Sequence, residues 1–584
     1  MHPNCQETAA SWLAKFGTAI GASDVAGASH CFQPDGFLRD VLIFTWKNRT
    51  LRGTDRISAY LADAFGRGVA LSQFGLDERP ELAPASGPTP SSSSPCAVSA
   101  GFVFATAIGT GQGYFTLVPD AQDGTEWKAV AVFMTLVDIC GHEELGPEEG
   151  TYGGHTISWM DVDAERREAV ERDPHVLIIG GGQTGLNVAA RFRQMQIPTL
   201  IIEQHPRVGD NWRKRYPTLT LHTPKTHHAM LYHSYPETWP TFTSRDKLAN
   251  WLEQYAVSQD LCVWTNTHAL PTPSYDYAAR RWTITVLRAG TAVTLRPAHI
   301  VLAAGTIGTP RIPPLPHRSA FPGPILHSAQ YQGGRAFAGQ RVVVVGAANS
   351  AADICQDLVV QGARTVTMVQ RSSTCVVSCA SIRAVVERIW PPGVPTALAD
   401  FKAMATPFRL LKEVLSERKD ELRAREGELH DMLTGAGMEL NMGKDGSGQY
   451  PMFFERFGGY WLDVGCGALI GSGQVMIKHG VEIAELTKEG AVFTDGSSLP
   501  ADAIIFATGY ESIRDTMRAL FGDAVIDQTG PVWGIDDEGE IRGCYNASGH
   551  PGLWFAGGNF VTSRFYSKQL ALQIKAIELG VMKV

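Results

Sequence analysis

Three glycines open the chemistry. Gly180, Gly182 and Gly185 stand in the spacing G-x-G-x-x-G within His175-Val-Leu-Ile-Ile-Gly-Gly-Gly-Gln-Thr-Gly, an apolar strand run, a glycine turn and the start of a helix. In such a unit the first glycine makes the tight turn. The second lets the backbone approach a pyrophosphate, and the third lets helix and strand pack closely. The helix N-terminus then faces the phosphates. The next strand run, Thr199-Leu-Ile-Ile, ends in Glu203, a carboxylate placed to accept hydrogen bonds from a ribose.

A second unit repeats the order of strand, turn and helix at Arg341-Val-Val-Val-Val-Gly-Ala-Ala-Asn-Ser-Ala-Ala-Asp. Gly346 holds the first position, while Ala348 and Ala351 replace the other two glycines. A methyl at the second position crowds a pyrophosphate, and Asn349 and Ser350 offer compensating polar contacts. Its following strand, Thr365 to Gln370, runs into Arg371 and Ser372. A base there suits a 2′-phosphate, so NADPH is preferred over NADH. Two such units in one chain fit a flavoprotein in which NADPH reduces FAD. The segments His299 to Gly305 and Ala503 to Gly509, each a strand followed by glycine, read as hinges where the chain crosses between the two domains.

The elements that position these residues follow from the rest of the chain. At 584 residues, with 44% hydrophobic and 19% charged, there is material for roughly four compact units. A net charge of −8 gives no electrostatic footprint for nucleic acid. Ten scattered cysteines without a Cys-x-x-Cys pair speak against a disulfide or zinc scaffold and for a reducing, cytoplasmic setting. No signal-peptide run and no membrane-length apolar stretch stand out, so neither secretion nor stable membrane insertion is expected. The partition expected is residues 1–145 as a first domain, 146–172 as a linker, 173–335 as the first part of an FAD domain, 336–499 as an NADP domain and 500–584 as the return of the FAD domain. The NADP domain is enlarged by a helical insertion at about 373–459.

In the first domain, Trp12, Leu13, Phe16 and Ile20 have helical spacing. Strands are expected at Val41–Trp46, Gly101–Ile108, Gly113–Val118 and Trp127–Val137, and an exposed loop at 82–99. With Phe32-Gln-Pro-Asp-Gly-Phe after the first helices, residues 1–145 resemble the NTF2-like (SnoaL-like) α+β cone. Asp35, Asp40 and His30 could serve a cone as acid and base, but the domain is assigned no chemistry.

Between the two nucleotide units, Phe321, Gly323, His327 and Tyr331 match the F-x-G-x-x-x-H-x-x-x-(Y/F) signature of class B flavin monooxygenases. A final Tyr rather than Trp is similar to the flavin-containing monooxygenase and plant YUCCA-like branch. Gly209-Asp-Asn-Trp212-Arg, Leu221-His222-Thr-Pro-Lys225, Ala507-Thr-Gly-Tyr510 and Pro551-Gly-Leu-Trp-Phe-Ala-Gly-Gly558-Asn559 agree, and the resemblance covers about residue 173 to the C-terminus. It implies an α/β fold of two interleaved Rossmann-type dinucleotide-binding domains preceded by the cone. NADPH would reduce FAD, and O2 would add at flavin C4a to give a C4a-(hydro)peroxyflavin that oxygenates a small organic substrate, with no metal.

The cofactor-binding residues implied are Gly180, Gly182, Gly185, Glu203, Trp212, His222, Gly305, Gly346, Asn349, Ser350, Arg371, Ser372, Gly509, Gly558 and Asn559. His222, Asn349 and His327 are the candidates for a catalytic supporting role. His222 stands where many relatives have asparagine. Two have a plainer reading, His327 as a pin of the interdomain linker and Asn349 as a helix cap, while His222 has the better case for facing the flavin.

Helices are expected at Ile382–Ile389 and Pro407–Arg425, the latter capped by Thr406. The aromatic run from Phe453 to Trp461 would line a substrate channel or a core. Oxygenation of carbon in a 2-oxo acid and of a soft heteroatom both stay open. So do an NADPH oxidase and a catalytically silent flavoprotein whose cone binds a ligand or partner. Cone domains often pair through their sheets, which leaves room for a homodimer.

Overall fold

The computed structural model describes residues 4–88, 96–120 and 126–583. In the first domain, helices α1 (Cys5–Gly21), α2 (Val25–His30) and α3 (Thr54–Gly66) pack on a seven-stranded sheet. The strands are β1 (Phe32–Val41), β2 (Asn48–Arg52), β3 (Leu71–Leu76), β4 (Ala85–Gly87), β5 (Ala97–Thr106), β6 (Gly109–Pro119) and β7 (Trp127–Ile139), in the order β2-β1-β7-β6-β5-β3 with β4 on β5. One face of α1 buries Trp12, Leu13, Phe16 and Ile20, the stripe its spacing dictates. Trp12 stacks on Phe16 at 5.0 Å and meets Phe115 at 4.6 Å, so aromatic side chains fill this part of the interior.

Two expectations fail here for identifiable reasons. Val41–Trp46 is not a strand: β1 ends at Val41, and the buried Asp40 carboxylate accepts from the amides of Ile43 (2.9 Å) and Phe44 (3.2 Å) and from the Tyr60 hydroxyl (2.6 Å). A carboxylate that gathers backbone donors in this way turns the chain out of the sheet. The segment 82–99 is not all loop either, because β4 pairs with β5 from Ala97 onward. Its serine run lies outside the described residues. The linker expectation at 146–172 contains a helix, Trp159–Arg172, with no buried residue.

The nucleotide-binding part holds two five-stranded parallel sheets. The first has the order Cys262–Trp264, Thr199–Ile202, Val176–Ile179, His299–Leu302, Leu553–Phe555. The second runs Ile325–His327, Ala503–Phe506, Arg341–Val345, Thr365–Gln370, Val475–His479. These near-continuous apolar runs are what strands covered on both faces require. Sheet membership corrects two boundaries. Ile325–His327 belongs to the second sheet, so the chain crosses before 335. Ala503–Phe506 also belongs there, so the return crossing comes after 506 and not at 500. Each hinge strand is the last its own sheet receives before the chain leaves.

The insertion is helical, at Cys379–Ile389, Thr396–Ala405, Phe408–Glu417, Lys419–Arg425, Gly427–Gly435 and Gln449–Arg456. The expected single helix Pro407–Arg425 is broken at Arg418, and Pro407, not Thr406, is the N-cap. Proline in that place removes a donor that the first turn would leave unpaired anyway.

Candidate active site

The first glycine turn is forced by sterics. Gly180 has φ +113°, and a Cβ there would lie 2.5 Å from the Ala303 carbonyl oxygen, while one at Gly185 would lie 2.0 Å from the Gly180 carbonyl oxygen. At Gly182 the nearest atom is 3.4 Å away, so this glycine leaves space in front of the turn. Gly182 is the N-cap of helix Gln183–Gln194, and no side chain caps that helix. Its first-turn N–H groups therefore await an anion. Glu203, buried at the end of its strand, accepts from the amides of Gly181 and His205, each at 2.9 Å. Trp212 Nε1 donates to Gln183 Oε1 at 3.3 Å, closing the turn from the other side.

The C-terminal return lies beside this turn. Gly305 has φ +104°, with its Cβ position 3.6 Å from the Ile307 carbonyl oxygen, and the Gly558 amide donates to Thr306 Oγ1 at 2.6 Å. Asn559 caps the closing helix Phe560–Glu578 through its Oδ1, which accepts from the Thr562 amide at 3.0 Å. The aromatic run resolves into a cluster in which Phe453 and Phe457 stand 5.4 and 5.3 Å from Trp533. Trp533 in turn lies where a Cβ on Gly558 would be 2.8 Å from it.

The second turn differs. Gly346 has φ +121°, with a Cβ position 2.5 Å from the Ala507 carbonyl oxygen, so its glycine is equally obligatory. Ala351 is accepted wholly buried, and Ala348 is the N-cap of helix Asn349–Val360, which again has no side-chain cap. Asn349 is thus not a cap. It is the first residue of that helix, and its Oδ1 accepts from the Leu462 amide at 2.8 Å, tying the helix to the insertion's sheet. Ser350 follows it in the first turn. Arg371 and Ser372 sit exposed just past strand Thr365–Gln370, and Arg371 pairs with Glu482 at 3.0 Å.

His222 joins the two halves. Its loop belongs to the first, yet its Nε2 lies 3.3 Å from Oδ1 of Asp353, one turn into the helix of the second. Burial pushes the His222 pKa down, but the hydrogen bond and charge of Asp353, with Asn349 adding to them, outweigh this and raise it above 6.5. Asp353 also accepts from the Tyr216 hydroxyl. The sequence pattern did not single out Asp353. Its position four residues after Asn349, on the same helix face, was the available signal.

His327, expected among the supporting groups, is committed elsewhere. Its Nε2 donates to the carbonyl of Gly509 at 2.9 Å, and its Nδ1 accepts from the Ala329 amide at 3.1 Å. Burial lowers its pKa, in keeping with a neutral ring. Nε2 thus ties His327 to the segment that follows strand Ala503–Phe506, and Nδ1 caps the short turn Ser328–Gln330. Two buried polar atoms on the segment after His222, Thr226 Oγ1 and His227 Nδ1, lack any partner. Burial, with the Arg564 charge, drops the His227 pKa to about 3. A glycine at the turn before an uncapped helix start, a buried carboxylate at Glu203 and these orphaned atoms fit a long dinucleotide with a polar ring system.

Comparison with known proteins decides the family. The chain is 30% identical over 356 residues to the indole-3-pyruvate monooxygenase YUCCA1 of Oryza sativa subsp. japonica, spanning 60% of this chain and 79% of that protein. The chain belongs to the flavin monooxygenase family. It is an FAD-dependent oxidoreductase of the monooxygenase type, drawing on NADPH and O2. A probable indole-3-pyruvate monooxygenase YUCCA1 of Arabidopsis thaliana is 31% identical over 350 residues, covering 58% of this flavin monooxygenase and 75% of the relative. A family model described as pyridine nucleotide-disulphide oxidoreductase matches residues 177–389. Among solved structures, ε-caprolactone-bound cyclohexanone monooxygenase aligns with a TM-score of 0.50 at 18% identity, over 69% of this chain and 88% of that one, which speaks for the fold. No helix among the described residues is long and apolar enough to cross a membrane.

Proposed function

We propose that this protein oxygenates a small organic substrate at the junction of its two nucleotide folds, with His222, Asn349 and Asp353 as the groups that join cofactor to co-substrate. The observation that carries the reading is the His222–Asp353 contact, which brings the loop of one fold onto the uncapped helix start of the other. FAD, when bound, supplies the transfer of electrons from NADPH to O2. Gly180, Gly182, Gly185, Glu203, Trp212, Gly305, Gly558 and Asn559 hold it. Gly346, Asn349, Ser350, Arg371 and Ser372 hold NADPH, with Gly509 and His327 fixing the crossing beside them. His222 keeps a proton on Nε2 against Asp353, and the surrounding burial excludes water from that proton.

The domain division, with crossings moved to before 325 and after 506, belongs to the same reading. So does an NTF2-like first domain, supported by three helices on a mixed seven-stranded sheet. A cytoplasmic setting is supported by the absence of a disulfide among the described cysteines, and homodimer formation through the first domain is proposed as well. Ala348 and Ala351 are the support for a silent flavoprotein; Ala351 is wholly buried in its helix, while Ala348 is the N-cap at the turn itself.

The test is anaerobic addition of NADPH to the purified yellow protein, followed by aerobic product analysis. Indole-3-pyruvate, a thioether and a cyclic ketone serve as probes, with peroxide measured in parallel. Bleaching and an oxygenated product are expected. No bleaching favours the silent flavoprotein, and peroxide alone from every probe makes the protein an NADPH oxidase.

A further inference from the structure

The first domain carries a buried arginine enclosed by other parts of the chain. Arg39, on β1, is 5% exposed. Its Nε and Nη2 donate to the two carboxylate oxygens of Glu540 at 2.7 and 2.8 Å, Nη2 also donates to the Tyr566 hydroxyl at 2.9 Å, and Nη1 donates to the Met404 carbonyl. Four regions meet at this guanidinium: the first domain, the 536–540 turn, the closing helix and the last turn of insertion helix Thr396–Ala405. Thr50, also from the first domain, donates to Glu540 at 2.7 Å.

The same insertion helix is held one turn earlier by a second buried arginine. Arg564, on the closing helix, makes a two-pronged pair with Asp400 at 2.7 Å for each bond, and its Nη1 donates to the carbonyls of His227 and Ala229 at 2.9 and 2.7 Å. Trp390 Nε1 donates to Asp400 as well, and the Trp390 ring stands edge-on to His227 at 5.1 Å. Arg39 therefore reaches, through one helix, the segment that follows His222 and bears the orphaned His227 nitrogen. A buried ion pair is weak evidence for stability, since its desolvation offsets much of its attraction. Its information lies in geometry, because a planar two-pronged pair fixes both partners.

We infer that Arg39 is a positioning residue for the oxygenation reaction: the first domain, through Arg39, holds helix Thr396–Ala405 against the closing helix and so keeps water from the flavin side of the His222–Ala229 segment. The inference rests on the monooxygenase reading above. Where the hold is broken, water reaches the site, and NADPH + H⁺ + O2 yields NADP⁺ + H2O2, one electron pair passing from NADPH to O2.

The experiment uses the full chain loaded with FAD, comparing wild type, Arg39→Met, and the double variant Arg39→Met with Glu540→Leu, which removes both charges together and spares the fold an unpaired carboxylate. FAD content, anaerobic reduction by NADPH, and peroxide formed per NADPH without added substrate are measured. The double variant is expected to bind FAD fully and to be reduced within twofold of the wild-type rate, while substrate-free NADPH oxidation to peroxide rises at least threefold. A wild type that NADPH does not bleach sinks the oxygenase reading and this inference with it. A bleached, FAD-loaded double variant with wild-type peroxide formation overturns this inference alone and leaves Arg39 as a domain fastener.

Discussion

The two nucleotide folds solve one packing problem with different tolerances. In the first, a methyl at the third glycine would stand 2.0 Å from the Gly180 carbonyl oxygen, so Gly185 is required. In the second, Ala351 takes the same place with its methyl wholly buried. The first helix therefore packs against its own turn more closely than the second, which has room for one methyl there. The strand ends differ as well, with a buried acid at Glu203 and an exposed base at Arg371.

The largest break in this comparison is Gly185→Ala, expected to cost more than about 3 kcal/mol by overpacking and to yield protein without FAD, read by absorbance and melting. Ala351→Gly, by contrast, should lower stability by only about 1 kcal/mol. Next comes Glu203→Gln. Its amide nitrogen must face either the Gly181 or the His205 N–H, and a buried donor against a donor costs about 1–3 kcal/mol, a roughly ten- to hundredfold weaker hold on FAD by titration of the apoprotein.

Asp353→Asn tests the junction. The His222 pKa lies above 6.5 in the folded protein, so the pair's contribution is fully present below 6.5 and fades as pH rises through the raised value. With Asp353 neutral, burial dominates and the pKa should fall below 6.5. The stability gap between wild type and variant should accordingly be widest in acid and close toward alkaline pH, as NMR titration of the imidazole and melting curves would report. The smallest effect is expected from Arg371→Ala. An exposed arginine contributes about 1 kcal/mol or less, so NADPH binding should weaken by roughly fivefold or less, with NADH binding unchanged.

Glycine spacing and the carboxylate after the second strand made the first cradle legible in the sequence, because each residue there answers a local steric or hydrogen-bonding demand. The insertion's helical character was legible for the same reason, in its apolar periodicity. What stayed hidden depends on distant partners. Asp40 looked like an acid for a cone, but it accepts two backbone amides that redirect the chain. Glu426 lies in a densely charged stretch of sequence, yet it is buried and accepts from the Ser378 amide at 2.9 Å. The crossings were misplaced because a strand's sequence does not say which sheet receives it, and Arg39 finds Glu540 across five hundred residues of chain.

The interleaving has a consequence in time. The first sheet is finished by Leu553–Phe555, and Asn187 of its first helix donates to Ser563 on the closing helix at 2.8 Å. Residues that complete the first sheet are therefore made after the whole second nucleotide fold, long after the glycine turn they pack behind. Until Leu553–Phe555 is made, strand His299–Leu302 pairs with Val176–Ile179 on one side only, so an apolar sheet edge stays open while the whole second nucleotide fold is synthesised.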